Sequence, residues 1–361
     1  MGELLRQYLP PLLAWAVFLV RRPGEDLARR YVRRVLLGLA ISLTALTPLG
    51  YAVINGVAGT HDLPRLVGHA GMLLVAWAAQ DLLAHLTGSP RSRWHTGWIA
   101  GVFVVMCVLF ALTPNLMPQS PWVFEYVLAY VVAQVPAFGN VIRLGLRYAR
   151  VADAASLRVA LRLVVAGTAL GLVYLADKAI LAARPRFGFE FPLGRTVLVS
   201  KLLPTSAYVL VLAGAALPAV LGWCTRYRQY RRLGPLWRAL YRADPAIALD
   251  PPAVPDFLAL HRLRLRLYRR VIEIRDGLLA LRPYRDADVA AAAADRARRA
   301  GLAGLHHEAA VEAATIAAAL RARAAGPPPD TAAEPEVTGG ADLAAETAFL
   351  GLVARAYERN G

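Results

Sequence analysis

At 361 residues and 57% hydrophobic, the chain is too apolar for an ordinary soluble protein, whose usage runs at about 45–50%. Its net charge of +16 is almost all arginine, because lysine occurs only at Lys178 and Lys201. Those arginines gather at the ends of apolar blocks, where they anchor helices, and no groove-reading motif accompanies them, so no nucleic-acid partner is implied.

A spanning helix needs about 20 mostly apolar residues. Residues 1–223 contain six such segments, roughly 34–56, 65–87, 96–113, 122–144, 159–182 and 196–221. A further segment, about 4–20, is shorter and carries Arg6, Pro10 and Pro11; it either spans or lies in the membrane interface. The expected fold is therefore all-α: a seven-transmembrane-helix bundle over 1–223, six if the first segment does not span, then a small helical cytoplasmic domain over 224–361. The N-terminus lacks the basic end, apolar run and small-residue site of a cleaved secretory signal, and is expected to stay attached. Cys107 and Cys224 are too few for a disulfide framework, and no metal-type cysteine spacing occurs.

Loop charge sets the expected orientation. Arg21, Arg22, Arg29, Arg30, Arg33 and Arg34 follow the first segment, Arg91 and Arg93 the third, Arg143, Arg147, Arg150 and Arg158 the fifth, and Arg226, Arg228, Arg231 and Arg232 the last. The alternate loops are poor in basic residues, except 183–195 with Arg184, Arg186 and Arg195. Arginine-rich loops stay cytoplasmic, which puts the N-terminus outside and the C-terminus inside a plasma membrane.

A charge at mid-bilayer costs about 2.5–3.5 kcal/mol on insertion scales, so intramembrane polar residues are candidate site residues. An outer cluster comprises His69, Glu125, Asp177, Lys178 and Lys201, with Asp177 and Lys201 at similar depth. An inner cluster comprises Asp81 and His85, four residues apart on one helical face, beside Arg143 or Arg147. Gln134 lies near mid-depth and Asn140 further in. Two readings stay open: a polar vestibule for a ligand or ion, or interhelical pairs and snorkelling ends that satisfy one another.

After the last span, Trp223, Tyr227, Tyr230, Trp237 and Tyr241 suit an interfacial aromatic belt, with Arg232 and its neighbours toward anionic headgroups. Gly234-Pro235 is expected to break this neck from the span. A long helix follows over about 256–282, with Phe257, Leu260, Leu267, Val271, Ile274, Leu278 and Leu281 in one apolar stripe. It serves as a core helix of a small bundle or, alternatively, as a homodimer seam or a membrane-surface helix. Two alanine-rich helices are expected near 285–301 and 305–324, a flexible linker over 326–340, and a last helix over 342–358.

No catalytic, metal-binding or cofactor-binding motif appears. His306-His307-Glu308 lacks the second histidine of a zinc-protease helix, and there is no phosphate-cradling glycine–lysine loop.

The runs Arg232-Leu233-Gly234-Pro235-Leu236-Trp237, Tyr268-Arg269-Arg270-Val271-Ile272-Glu273-Ile274-Arg275-Asp276-Gly277 and Arg282-Pro283-Tyr284 carry a resemblance. Gly340-Ala341-Asp342-Leu343 and Val353-Ala354-Arg355-Ala356-Tyr357 add to it. In these the chain resembles a group of actinobacterial multi-pass membrane proteins of unknown function, some of them labelled transporters. The resemblance implies a membrane part of about seven spans and a helical cytoplasmic domain, and it brings no catalytic residue.

Two functions fit. One is a membrane sensor or scaffold whose cytoplasmic domain binds a protein partner; the other is a small-solute transporter. Against the second stand the lack of an internal repeat and of paired broken helices. A membrane-embedded enzyme ranks third.

Overall fold

The computed structural model describes residues 2–20, 26–59, 62–89, 93–113, 115–189, 193–248, 262–327 and 342–360. Their regular structure is helical throughout, in two compact units, Met1–Ala219 and Val220–Gly361.

The first unit opens with α1 (Gly2–Val20), α2 (Leu27–Ala45), α3 (Pro48–Ala58) and α4 (Leu63–Leu86). It continues with α5 (Arg93–Leu112), α6 (Val123–Val151), α7 (Ala155–Phe187) and the first part of α8 (Leu193–Ala243). Five of these, α4 to α8, are long and apolar enough to cross a membrane. Only 17% of the apolar window of α5 and 39% of that of α4 is buried within the protein. Apolar faces left this open require a hydrocarbon surround. The chain is a helical membrane protein.

The segment expected as one span over 34–56 is broken. α2 and α3 meet at an 82° bend. The cause is local: Pro48 disfavours helical backbone at Thr47, which sits at φ −76°, ψ 156°. Thr47 then caps the new helix, its Oγ1 accepting from the Gly50 amide at 3.0 Å while donating to the Thr44 carbonyl at 2.8 Å. Gly50 is needed at the corner, since a Cβ there would lie 2.1 Å from the Thr44 carbonyl oxygen. Together the bent pair passes as a sixth span, and Gln7–Val20 of α1 is a shorter apolar helix. α1 is helical on both sides of Pro10 and Pro11, which lie at its middle; each proline lacks the N–H that would bond back to the preceding turn.

Helix α2 packs on α4 at backbone contact distance. A Cβ on Gly71 would come within 2.7 Å of the Gly38 carbonyl oxygen and 2.9 Å of the Ser42 amide nitrogen. Lipid offers no hydrophobic drive to helix association, so small residues that admit close van der Waals packing take its place.

The second unit comprises the end of α8, then α9 (Leu263–Ala280), α10 (Ala287–Arg299), α11 (Gly304–Ala325) and α12 (Leu343–Asn360). Its core joins Leu233, Leu236 and Leu240 of α8 to Ile274 and Leu278 of α9, Ile316 of α11 and Leu350 and Val353 of α12. The break expected at Gly234-Pro235 does not occur, and α8 is helical on both sides. Leu233, Leu236 and Leu240 are all essentially fully buried, and burying such a side chain stabilises by about 1.5–3 kcal/mol, which offsets the cost of about 3 kcal/mol for an interior proline. The helix expected over 256–282 is described from Leu263 to Ala280. Phe257 and Leu260, with most of the expected linker, lie outside the described residues.

Candidate functional site

Polar side chains of five helices converge inside the first unit. On α6, Tyr126, Tyr130 and Gln134 recur every four residues and so share one face. Opposite them on α4 stands His69. Its Nδ1 is 2.8 Å from the Tyr126 hydroxyl, and its ring lies 4.4 Å from that of Tyr130 at an interplanar angle of 31°. Tyr174 of α7 and Tyr208 of α8 stand within electrostatic reach of Tyr130. Lys178 places its ammonium 5.3 Å from the centre of the Tyr174 ring, a cation–π distance. Asp177, its neighbour in sequence, is buried.

Arg65, one turn before His69, closes one end of this group. Its Nε donates to the Tyr51 hydroxyl at 2.9 Å and its Nη1 to the Leu116 carbonyl at 2.7 Å. Asp62 lies 3.5 Å from the same guanidinium and accepts from the Leu116 amide at 3.0 Å. The second half of the broken span is thus tied to α4 and to the segment before α6.

Gln134 is fully buried, and neither its Oε1 nor its Nε2 has a hydrogen-bond partner of good geometry, although the Tyr130 hydroxyl comes close. A buried carboxamide left unsatisfied costs on the order of 1–3 kcal/mol. One turn and a half further on, α4 and α6 are clamped. Gln80 Nε2 donates to the Pro136 carbonyl at 3.2 Å, and Asn140 Nδ2 donates to Gln80 Oε1 at 3.3 Å.

The expected outer cluster is therefore only partly gathered. His69 and Lys178 are in the group, with Asp177 beside it. Glu125 instead lines a groove of about 860 Å³ between α5 and α6, and its carboxylate lies 3.7 Å from Arg186. The Lys201 side chain, and with it the Asp177–Lys201 pairing, lies outside the described residues.

The expected inner cluster does not form. Asp81 faces His95 and Arg34, while the His85 ring stands 6.2 Å from that of Tyr31. Arg143 and Arg147 are exposed on α6, and no ion pair among the described residues joins them to Asp81. They follow Asn140 by three and seven residues and so share the side of α6 that Gln80 meets, without pairing with Asp81.

The aromatic neck also differs from the expected belt. Trp237 and Tyr230 are buried in the core of the second unit. Trp237 Nε1 donates to Glu273 Oε2 at 2.7 Å. The Arg270 guanidinium lies 3.7 Å from the Tyr230 ring centre and 4.8 Å from that of Trp237, and it donates to the Tyr230 carbonyl. Trp223 stacks on Tyr227 with rings 5.4 Å apart, and Trp237 on Tyr241 at 5.0 Å. Gly234 is buried and Pro235 half-buried, and Arg232 is exposed. A run of apolar residues at helical spacing is drawn inward by α9, and the rings follow it.

Charge alone does not point to the tyrosines; the four-residue spacing of Tyr126, Tyr130 and Gln134 is the sequence signal for them. Among the described residues no three histidine, cysteine or acidic side chains converge as a metal site would require.

Residues 222–360 match a family of unknown function, DUF6545. No curated protein and no solved structure matches the chain.

Proposed function

We propose that this protein is a membrane sensor or scaffold, in which the state of the bundle is passed to a helical cytoplasmic domain that binds a protein partner. The observation that supports it most is the continuity of α8. One helix of 51 residues carries the last span and, at its other end, side chains of the second core. About 20 residues suffice to cross a bilayer. The remainder contributes Leu233, Leu236, Trp237 and Leu240 to the second core. In this reading α8 is the element that passes a change in the span to the core. The arginines at 21–34, 143–158 and 226–232 favour a cytoplasmic second unit, with seven crossings if α1 and the bent α2–α3 pair both span.

The second reading, a small-solute transporter, draws on the broken α2–α3 span and on the polar group that reaches from Tyr51 to Tyr208. Broken helices beside polar intramembrane side chains are a feature of transport sites.

In-cell crosslinking and affinity capture of the full-length protein separates the two. A defined cytoplasmic protein, captured by wild type and lost when the second core is disrupted by Trp237→Ala, supports the sensor or scaffold. Capture without a specific partner, together with solute flux in proteoliposomes, would replace that reading with transport.

A further inference from the structure

Helix α9 has two apolar faces, and only one of them is used by the core. Leu263, Leu267, Val271, Ile274 and Leu278 are buried against α8, α11 and α12. Leu265, Tyr268, Ile272 and Leu279 are exposed by 43%, 47%, 40% and 56%. At 100° per residue, those four side chains fall within an arc of roughly 60°, so they form one stripe. It runs for about 20 Å along the helix.

Charge borders this stripe on both sides. Arg264 flanks one edge and Arg266 and Arg269 the other, with Arg262 at the N-cap. No acidic residue occurs between Arg262 and Glu273, and Glu273 is turned inward to Trp237. The exposed acid near the stripe is Asp276, at its C-terminal end. Apolar centre and cationic edges are the pattern of a helix lying in a membrane interface, its apolar face sunk about 5–10 Å and its arginines among headgroups. A second copy would fit poorly. Two such stripes face to face would set arginines against arginines, and the heptad position at 275 holds an arginine already engaged with Glu346.

We infer that the exposed face of α9 docks on the surface of an anionic bilayer. The occupant is available without diffusion, because the same chain carries the membrane spans. Each arginine near an anionic surface favours the docked state about fivefold, so the first turns of α9 bias it strongly toward contact. Docking would hold the helical unit against the leaflet and release it as anionic lipid falls or salt rises. This inference stands apart from partner binding: a failed partner capture would leave it untouched.

The test uses the full-length protein in lipid nanodiscs, with Cys107 and Cys224 replaced by serine and a single Tyr268→Cys carrying an environment-sensitive fluorophore. Discs of phosphatidylcholine alone are compared with discs rich in phosphatidylglycerol, both doped with nitroxide-labelled lipid. Docking predicts a blue shift and severalfold stronger quenching in the anionic discs, reversed by high salt. Adding Arg262→Gln and Arg264→Gln, both at exposed positions outside the core, lowers the docked-to-free ratio by about 25-fold. A label quenched equally by aqueous iodide in both discs overturns the inference. So does a label shielded from lipid quencher but crosslinking to a second copy.

Discussion

The most informative single bond in the second unit is the one from Trp237 to Glu273. Trp237 is 5% exposed and donates to a carboxylate at 2.7 Å. Trp237→Phe keeps an aromatic ring beneath Arg270 and removes only the indole donor and part of the ring volume. A hydrogen bond to a charged group contributes about 1.5–3 kcal/mol. Each 1.4 kcal/mol is about tenfold in an opening equilibrium. Amide protons of α9 whose exchange needs the core to open should therefore exchange about 10- to 100-fold faster in the variant. Trp237→Ala, which also empties the site, should cost about 3–5 kcal/mol and abolish most of that protection. Hydrogen exchange of the full-length protein in nanodiscs, read by mass spectrometry over α9 and α11, measures both. Exchange in Trp237→Phe within twofold of wild type would refute the reasoning, because it would make the bond energetically idle.

Three further outcomes follow from the geometry. Gly71→Ala forces a Cβ against the Gly38 carbonyl and should lower the detergent melting midpoint by overpacking worth about 1–3 kcal/mol, whereas Gly97→Ala, with nothing within 4 Å, should be neutral; equal midpoints would contradict the packing. Gln134→Met removes a fully buried amide that lacks a good partner and should leave the midpoint unchanged or raised, and a clear drop would show that the amide is bonded. Asp244 is held below the usual carboxylate range, first by the hydrogen bond from Arg323 at 2.9 Å and then by the Ala246 amide. A depressed folded pKa stabilises fully above the unfolded value of about 3.9 and is lost as pH falls below it. Asp244→Asn should therefore flatten the pH dependence of stability below about pH 4 by under about 1 kcal/mol, since the pair is partly exposed; an unchanged acid limb in a melting series would count against it.

Hydropathy alone locates the apolar segments from Leu63 onward, because length and apolarity decide membrane insertion and both are local. It passes over the break at Thr47, where Leu46 and Leu49 keep the apolar run going and only Thr-Pro marks the turn. The opposite error arises at Pro235. A local breaker is overridden there by Leu233, Leu236 and Leu240, whose burial depends on α9 and α11 far along the chain. Charge picks out His69 and Lys178 but passes over the tyrosines that the structure sets around them, which look like ordinary apolar residues until the helices bring them together. Arg143 and Arg147 share the side of α6 that Asn140 presents to Gln80, yet their side chains are exposed, because long arginines reach outward rather than back along the helix.

The central claim is that α8 carries a change in the bundle to the helical unit. Hydrogen exchange of full-length wild type and Gly71→Ala, which forces α2 and α4 apart, in identical nanodiscs tests it most directly. Protection in α9, α11 and α12 should shift severalfold although the substitution lies on α4. A change confined to α2 and α4, with the second unit indistinguishable from wild type, would contradict it.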